Sequence, residues 1–234
     1  REAGVAKKVI GVARFSDPSL RDWLHRYGVE TITCDLSDFD AVRSLPKVRN
    51  VLYLAGRKFG AVGTEAQTWI QNVVVPSYVG QAYRDSRIVA FSTGCVYALL
   101  GPESGGSTEA DPPAPVGEYA NSCLGRERVF ENYSRQYGTP VLLYRLNYAI
   151  DLRYGVLDDI GRKVAAGEPV DLTVNAVNCI WQGDANNRAL LCLEHAGAPP
   201  VALNITGPEM LSVREVALEF GRLLGREVRS EERR

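Results

Sequence analysis

The sequence predicts an α/β fold built on a parallel sheet, and three observations predict it. Short apolar, β-branched runs recur at Val9–Ala13, Val29–Cys34, Asn50–Leu54, Ile88–Phe91 and Pro140–Tyr144. Runs of this kind suit strands buried on both faces. Segments with helical apolar spacing lie between them. The run ending at Phe91 stops abruptly in Ser92-Thr93-Gly94, and in open α/β sheets ligands sit just beyond the carboxyl ends of the strands. On that stretch alone, a hydroxyl turn closing the strand explains the residues equally well.

Taken in order, Arg1-Glu2-Ala3-Gly4-Val5 reads as the end of a helix stopped by Gly4. Val9–Ala13 is the first strand in the sequence. Asp17 then caps a helix with Pro18 at its first position, Leu20, Trp23, Leu24 and Tyr27 form its apolar stripe, and Gly28 ends it. His25 on this helix is a surface or packing residue. Val29–Cys34 leads to Asp35-Leu36, where Asp35 can cap the next helix. Asn50–Leu54 closes in Ala55-Gly56-Arg57-Lys58-Phe59-Gly60, and a basic pair at a strand's carboxyl end has no structural need to be there. Thr64–Tyr83 is helical, with a kink or late restart expected at Pro76. Gly101–Val116 is a long Gly-, Pro- and Ser-rich loop with no apolar period, expected to overhang the strand ends. Tyr119–Tyr137 is a helix with Tyr119 and Cys123 on one face. Beyond the Pro140–Tyr144 strand, helices are expected over Val156–Ala166, Ala185–His195 and Ser212–Leu224, the last opened by a Ser212/Glu215 capping box. Glu227–Arg234 is charged and aperiodic.

The bulk properties narrow the function. The 234 residues allow one large domain, or a domain with a small lobe. The composition, 45% hydrophobic and 24% charged, is ordinary for a globular chain, and the net charge of -1 gives no ground for nucleic acid or an anionic membrane as partner. No apolar run approaches the ~20 residues that span a bilayer, and no signal peptide is evident. The five cysteines, Cys34, Cys95, Cys123, Cys179 and Cys192, contain no C-x-x-C, and His25 and His195 lack a metal-site spacing. Neither a disulfide framework nor a metal site is indicated. A reducing cytoplasm is the natural compartment.

Two stretches carry a resemblance. Ser92-Thr93-Gly94-Cys95-Val96-Tyr97 and Glu118-Tyr119-Ala120-Asn121-Ser122-Cys123 resemble the extended short-chain dehydrogenase/reductase superfamily, in its NAD-dependent epimerase/dehydratase family. Arg145-Leu146-Asn147-Tyr148, Val177–Asp184 and Leu203–Pro208 resemble later segments of the same family. The resemblance implies a Rossmann-type doubly wound parallel sheet over residues 1–150, with the first strand and glycine-rich turn upstream of Arg1. That missing part is roughly twenty to twenty-five residues of a ~30-residue βαβ unit. It also implies a smaller substrate lobe over 151–234, with elements returning to the main sheet. The residues alone also allow Val9–Ala13 to be the true first strand of a different α/β fold.

The resemblance further implies an NAD or NADP cofactor, a sugar or sugar-nucleotide substrate and a homodimer. Catalytic roles fall on Thr93 and Tyr119. Cofactor contacts fall on Arg14, Asp35, Leu36, Leu54, Ala55, Gly56, Asn72, Ser92, Tyr119 and Leu146. Substrate contacts fall on Thr93, Asn147 and Asn178. Arg14 at the end of its strand suits a ribose 2′-phosphate and leans the choice toward NADP, although a solvated loop cation would look the same. In this family a lysine follows the tyrosine by four residues, lowers its pKa and holds the nicotinamide ribose. Here that position is Cys123, which supplies no cation at neutral pH. Three readings follow: an active oxidoreductase or epimerase in which another cation, Lys58 first and Arg126 second, replaces the lysine; an inactive dinucleotide-binding sensor or scaffold; or a protein using Cys123 as a reactive thiol.

Overall fold

The computed structural model describes residues 6–58 and 63–231; the expected helix end at Arg1–Val5 and the Phe59-Gly60 pair lie outside them. Strand β1 (Ile10–Ala13) pairs in parallel with β2 (Glu30–Thr33). Between them runs α1 (Pro18–Arg26), where Asp17 Oδ1 accepts the Ser19 N–H at 2.9 Å and Pro18 fills a position that needs no donor. Leu24 of α1 faces Gly11 of β1, whereas Leu20, Trp23 and Tyr27 remain exposed. The next helix, α2 (Phe39–Ser44), is capped by Asp38 rather than Asp35. Asp35 instead closes a turn, accepting from Ser37 N at 2.9 Å and Ser37 Oγ at 2.7 Å.

After β3 (Asn50–Tyr53) come α3 (Glu65–Trp69), a π-helical turn (Ile70–Val74) and α4 (Val75–Ala82) without a break. The interruption expected at Pro76 takes this form. Pro76 has no N–H for the carbonyl of Asn72, and the wider π turn is where the ladder absorbs the missing bond. Strand β4 (Arg87–Thr93) leads through the loop 97–116 to α5 (Gly117–Tyr137) and β5 (Val141–Leu146).

The rest of the chain is built of shorter pieces: β6 (Ala149–Ile150), α6 (Val156–Ala166), β7 (Val170–Asp171), β8 (Ala176–Asn178), β9 (Ile180–Trp181) and α7 (Gln182–Leu191). They are followed by β10 (Val201–Ile205), β11 (Met210–Ser212), α8 (Val213–Leu224) and β12 (Ser230–Glu231). The α7 helix starts three residues before its expected first residue, Ala185, and hands over to a 3-10 turn at Cys192–His195. The Ser212 cap stands as expected, its Oγ accepting Glu215 N at 3.3 Å.

The central sheet is parallel throughout, in the order β10-β5-β4-β3. The β1–β2 pair forms a separate two-stranded sheet among the described residues. An α/β fold on a parallel sheet is what the apolar runs predict. Alternation along β4 explains the two layers: Ile88 and Ala90 pack with Tyr53, Val79 and Phe130 under α4 and α5, and Val89 packs with Leu142, Tyr144, Ala185 and Ala189 under α7. Helices α4 and α5 approach closely because Gly80 lies under the Tyr133 ring, where a Cβ would come within 2.5 Å. A third cluster, Ile160, Val164, Val170, Val177, Val213 and Ala217, joins α6, β7, β8 and α8. No helix of the described residues is long and apolar enough to cross a membrane.

Candidate active site

The carboxyl end of β4 is where the predicted groups converge. Thr93 is its last residue, and its Oγ1 accepts Cys95 N at 3.2 Å, which orders the 3-10 turn Gly94–Val96. The Asn147 side chain lies across Gly94, so that a Cβ there would sit 3.0 Å from Asn147 Oδ1. Leu146 pairs in register with Thr93. Helix α5 brings Tyr119 onto the same turn: its side chain packs with Val96, Tyr97 and Cys123, and its hydroxyl lies near enough to the Thr93 and Cys123 side chains for both to act on it. Thr93, Tyr119, Asn147 and Leu146 therefore share one strand end.

The electrostatics at this strand end run opposite to an activated tyrosine. Burial, then Cys123, push the Tyr119 hydroxyl above its ordinary value, against a smaller lowering by Thr93. Burial also raises the Cys123 thiol, partly offset by the Arg126 charge. Both groups are neutral at physiological pH, which suits donating a proton rather than accepting one.

One turn further along α5, Arg126 is almost fully buried. It donates Nη1 to Phe91 O at 2.8 Å and Nη2 to Asn72 Oδ1 at 2.7 Å, and its guanidinium lies 5.7 Å from the Tyr53 ring centre. Asn72, in the π-helical turn, is fully buried. Its Oδ1 also accepts Arg57 N at 2.7 Å, and its Nδ2 donates to Arg57 O at 3.0 Å and to Ser122 Oγ at 2.9 Å. All four hydrogen-bonding positions of the amide are filled, so the side chain clasps the end of β3 to α5. Gly56 is small for the same reason, since a Cβ there would run into Arg126 Nη2. Gly56→Ala is expected to lower stability by about 1–3 kcal/mol, the range for forcing extra volume into a packed site, as measured by urea denaturation. An unchanged midpoint would mean that Arg126 can move away at no cost.

The other predicted residues are spread more widely. Arg14 and Asp35 sit at the neighbouring ends of β1 and β2, and the Arg14 charge helps lower the Asp35 carboxyl, after the two Ser37 hydrogen bonds. Leu36 and Ala55 pack against the core beneath the sheet, and Leu54 is exposed at the end of β3. Lys58 is exposed, and the groups acting on the Tyr119 hydroxyl are Cys123, Thr93 and Cys95. Asn178 is turned to β11, its Nδ2 donating to Glu209 O at 3.0 Å. Among the described residues no three His, Cys, Asp or Glu groups stand together as metal ligands.

Sequence reasoning missed the buried ion pair behind Thr93. Glu127 grips Arg145 through Nε at 3.0 Å and Nη2 at 2.8 Å, with side chains 1% and 6% exposed. Ser92, a predicted cofactor contact, gives its hydroxyl to Glu127 Oε1 at 2.5 Å. The available signal was an arginine at the end of the apolar run Val141-Leu142-Leu143-Tyr144, because a charge inside such a strand requires a buried partner.

Comparison with known proteins bears on this arrangement. Residues 1–166 match the NAD dependent epimerase/dehydratase family. No curated protein sequence matches the chain. Among solved structures, a dTDP-glucose 4,6-dehydratase (DesIV) from Streptomyces venezuelae with NAD and TYD bound superposes with a TM-score of 0.83 at 20% identity, covering 100% of this chain and 77% of that one. UDP-glucose 4-epimerase from Thermotoga maritima with UDP-glucose gives 0.81 at 18% identity, over 100% and 80%. MoeE5 in complex with UDP-glucose and NAD gives 0.76 at 18% identity, over 97% and 85%. At these identities the likeness is one of fold.

Proposed function

The chain belongs to the NAD dependent epimerase/dehydratase family, and from that premise we propose that it is an NAD(P)-dependent oxidoreductase or epimerase acting on a sugar or sugar-nucleotide substrate. The observation that carries this reading is the Thr93–Tyr119 hydroxyl pair at the carboxyl end of β4. In this reading Thr93 hydrogen-bonds the substrate oxygen, and Tyr119 holds the proton that the oxygen gains or loses. With its hydroxyl pushed up by burial, Tyr119 works best as the donor, in the direction of carbonyl reduction. Removing its proton at pH 7 costs ~1.4 kcal/mol for every unit by which its pKa exceeds 7. Asn147, across Gly94, contacts the substrate, as does Asn178 once turned from Glu209.

Arg14 and Asp35 fit the adenosine end of a dinucleotide: a guanidinium and a carboxylate at adjacent strand ends, with the cation favouring a 2′-phosphate. Leu54, Ala55 and Leu146 supply small or apolar surface beside the site. The bound nicotinamide would supply hydride transfer. Asn72, Ser92 and Gly56 support the site through Arg126 and Glu127. Of the two cations that could replace the family lysine, Lys58 is the exposed one at the end of β3, and Arg126 is the one whose charge reaches Cys123. We further propose residues 151–234 as the substrate-binding lobe, a homodimer and a cytoplasmic setting.

The test is a titration of the full-length protein with NADPH, NADP, NADH and NAD, followed by nicotinamide fluorescence and thermal shift. Binding that prefers the phosphorylated pair, weakened about tenfold or more by Arg14→Ala on the scale of a lost charge-assisted contact, is expected. The raised Tyr119 hydroxyl and the thiol at position 123 favour a second reading, a dinucleotide-binding scaffold without turnover. Binding without turnover of UDP-glucose or dTDP-glucose would select it, and no binding of any of the four would exclude both.

A further inference from the structure

A chain of hydrogen bonds runs from the loop 101–116 to the strand end that carries Thr93, and it passes through Asn204. Asn204 lies on β10, in register with Arg145 of β5. Its backbone N–H donates to Glu109 Oε1 at 2.6 Å, and its Nδ2 donates to Ser107 O at 3.2 Å. Both acceptors belong to the loop. Its Oδ1 accepts the Tyr97 hydroxyl at 2.8 Å. Tyr97 accepts Arg145 Nη1 at 2.6 Å in turn, and Arg145 is held by Glu127, the acceptor of the Ser92 hydroxyl. Ser92 immediately precedes Thr93. The loop makes a second tie to the same turn, Ala114 N to Val96 O at 2.9 Å.

We infer that Asn204 is a positioning residue, one that holds the 101–116 loop against the strand-end site and makes the loop and the Thr93–Tyr97 turn settle together. Two features argue for coupling rather than for independent packing. Tyr97, Arg145 and Glu127 are all buried, so the loss of one link leaves a polar group with no water to replace its partner. The loop itself is exposed almost throughout, with Ser107 its most protected residue near Asn204, so apolar burial holds it weakly and these bonds hold it in place. A loop anchored at Asn204 fixes the entrance to the strand end before any ligand arrives.

The test needs no cofactor or substrate, so it is independent of whether the proposed reaction takes place; only its functional consequence rests on that reading. A glutamate-specific protease can cut the loop at Glu103 and Glu109, and alkylation of exposed Cys95 reports on the turn that follows Thr93. Asn204→Ala keeps the backbone bond to Glu109 but removes the half-buried bonds to Ser107 O and Tyr97. It is expected to speed loop cleavage about five- to tenfold, the effect of losing one side-chain hydrogen bond to the loop, and to change the Cys95 alkylation rate as well. Tyr97→Phe removes the link in the middle and leaves both loop bonds of Asn204 intact. It is expected to alter Cys95 alkylation while cleavage rises less. Tyr144→Phe, which loses a hydroxyl bond to Ala185 O at 2.6 Å under α7, is the comparison for general destabilisation, and it is expected to leave both rates near those of the parent. Unchanged cleavage in Asn204→Ala would overturn the anchor. Faster cleavage with unchanged Cys95 alkylation in both Asn204→Ala and Tyr97→Phe would overturn the coupling, and equal effects from Tyr144→Phe would overturn both.

Discussion

Glu127→Ala is expected to lower the stability of the protein by about 3–5 kcal/mol, the cost of leaving a buried charge without its partner. For a chain of this size that corresponds to a drop of roughly 10 °C in Tm. The reason is local. Arg145 keeps its charge in a site 6% exposed, with Tyr97 as its remaining partner, and Ser92 loses the acceptor of its hydroxyl. Replacing both partners, Glu127→Leu with Arg145→Met, is expected to return part of the loss, because removing the pair together abolishes the unpaired charge. Ser92 would still lack the acceptor of its hydroxyl, and Tyr97 would keep only its bond to Asn204, so recovery is incomplete. Chemical denaturation of the single and double variants measures both effects. A Glu127→Ala loss below about 1 kcal/mol, the size of an exposed pair, would mean that water reaches Arg145.

Cys123→Lys is expected to produce the largest change in the chemistry of the site. The thiol lies on the same face of α5 as Tyr119 and contributes to holding its hydroxyl protonated. An ammonium in its place would favour the phenolate, and an opposite charge within about 4–6 Å lowers a pKa by roughly 1–3 units. Tyrosinate absorbance, read against a Tyr119→Phe background, should show one tyrosine moving down from above its ordinary value of ~10. Cys123→Ala should move it less. An unchanged titration in Cys123→Lys would mean that the lysine turns away from the hydroxyl.

The sign of the pH dependence follows from the same shift. In the parent protein Tyr119 and Tyr53, the latter pushed up to about 12 by burial, are raised in the folded state. Their contribution to stability is complete below the unfolded value of ~10 and is lost as pH climbs through the folded values. The parent should therefore lose stability on the alkaline side of pH 10. Cys123→Lys should lose the Tyr119 share of that dependence, while the lysine, buried beside Arg126, lowers stability at neutral pH.

Local sequence carried the elements because each is a local matter. Asp17-Pro18 and Ser212 mark helix starts by chemistry confined to one turn. The run Arg87–Phe91 marks a buried strand by its own composition, and Thr93 and Tyr119 were legible because both stand at element ends in a recognisable order. Elsewhere a neighbour decided. Asp35 and Asp38 are equally good caps by type, and the backbone chose Asp38. Pro76 signals an interruption, but only packing against α5 makes that interruption a π-helical turn with Asn72 pointing inward.

What the sequence by itself determined is the α/β class, the parallel strands and the two hydroxyls at the end of one of them. These follow from the period of apolar residues and from steric rules that act within a few residues. What only the tertiary structure decided is which charges are buried and with whom. Arg126 finds Asn72 across 54 positions, Arg145 finds Glu127 across 18, and Asn204 finds the loop across 95. A buried charge is tolerated only where partners from other elements meet it in one place, and no sequence window contains those partners. The same holds for Tyr119, whose hydroxyl is raised chiefly by burial, a property of the folded chain and not of any residue in it.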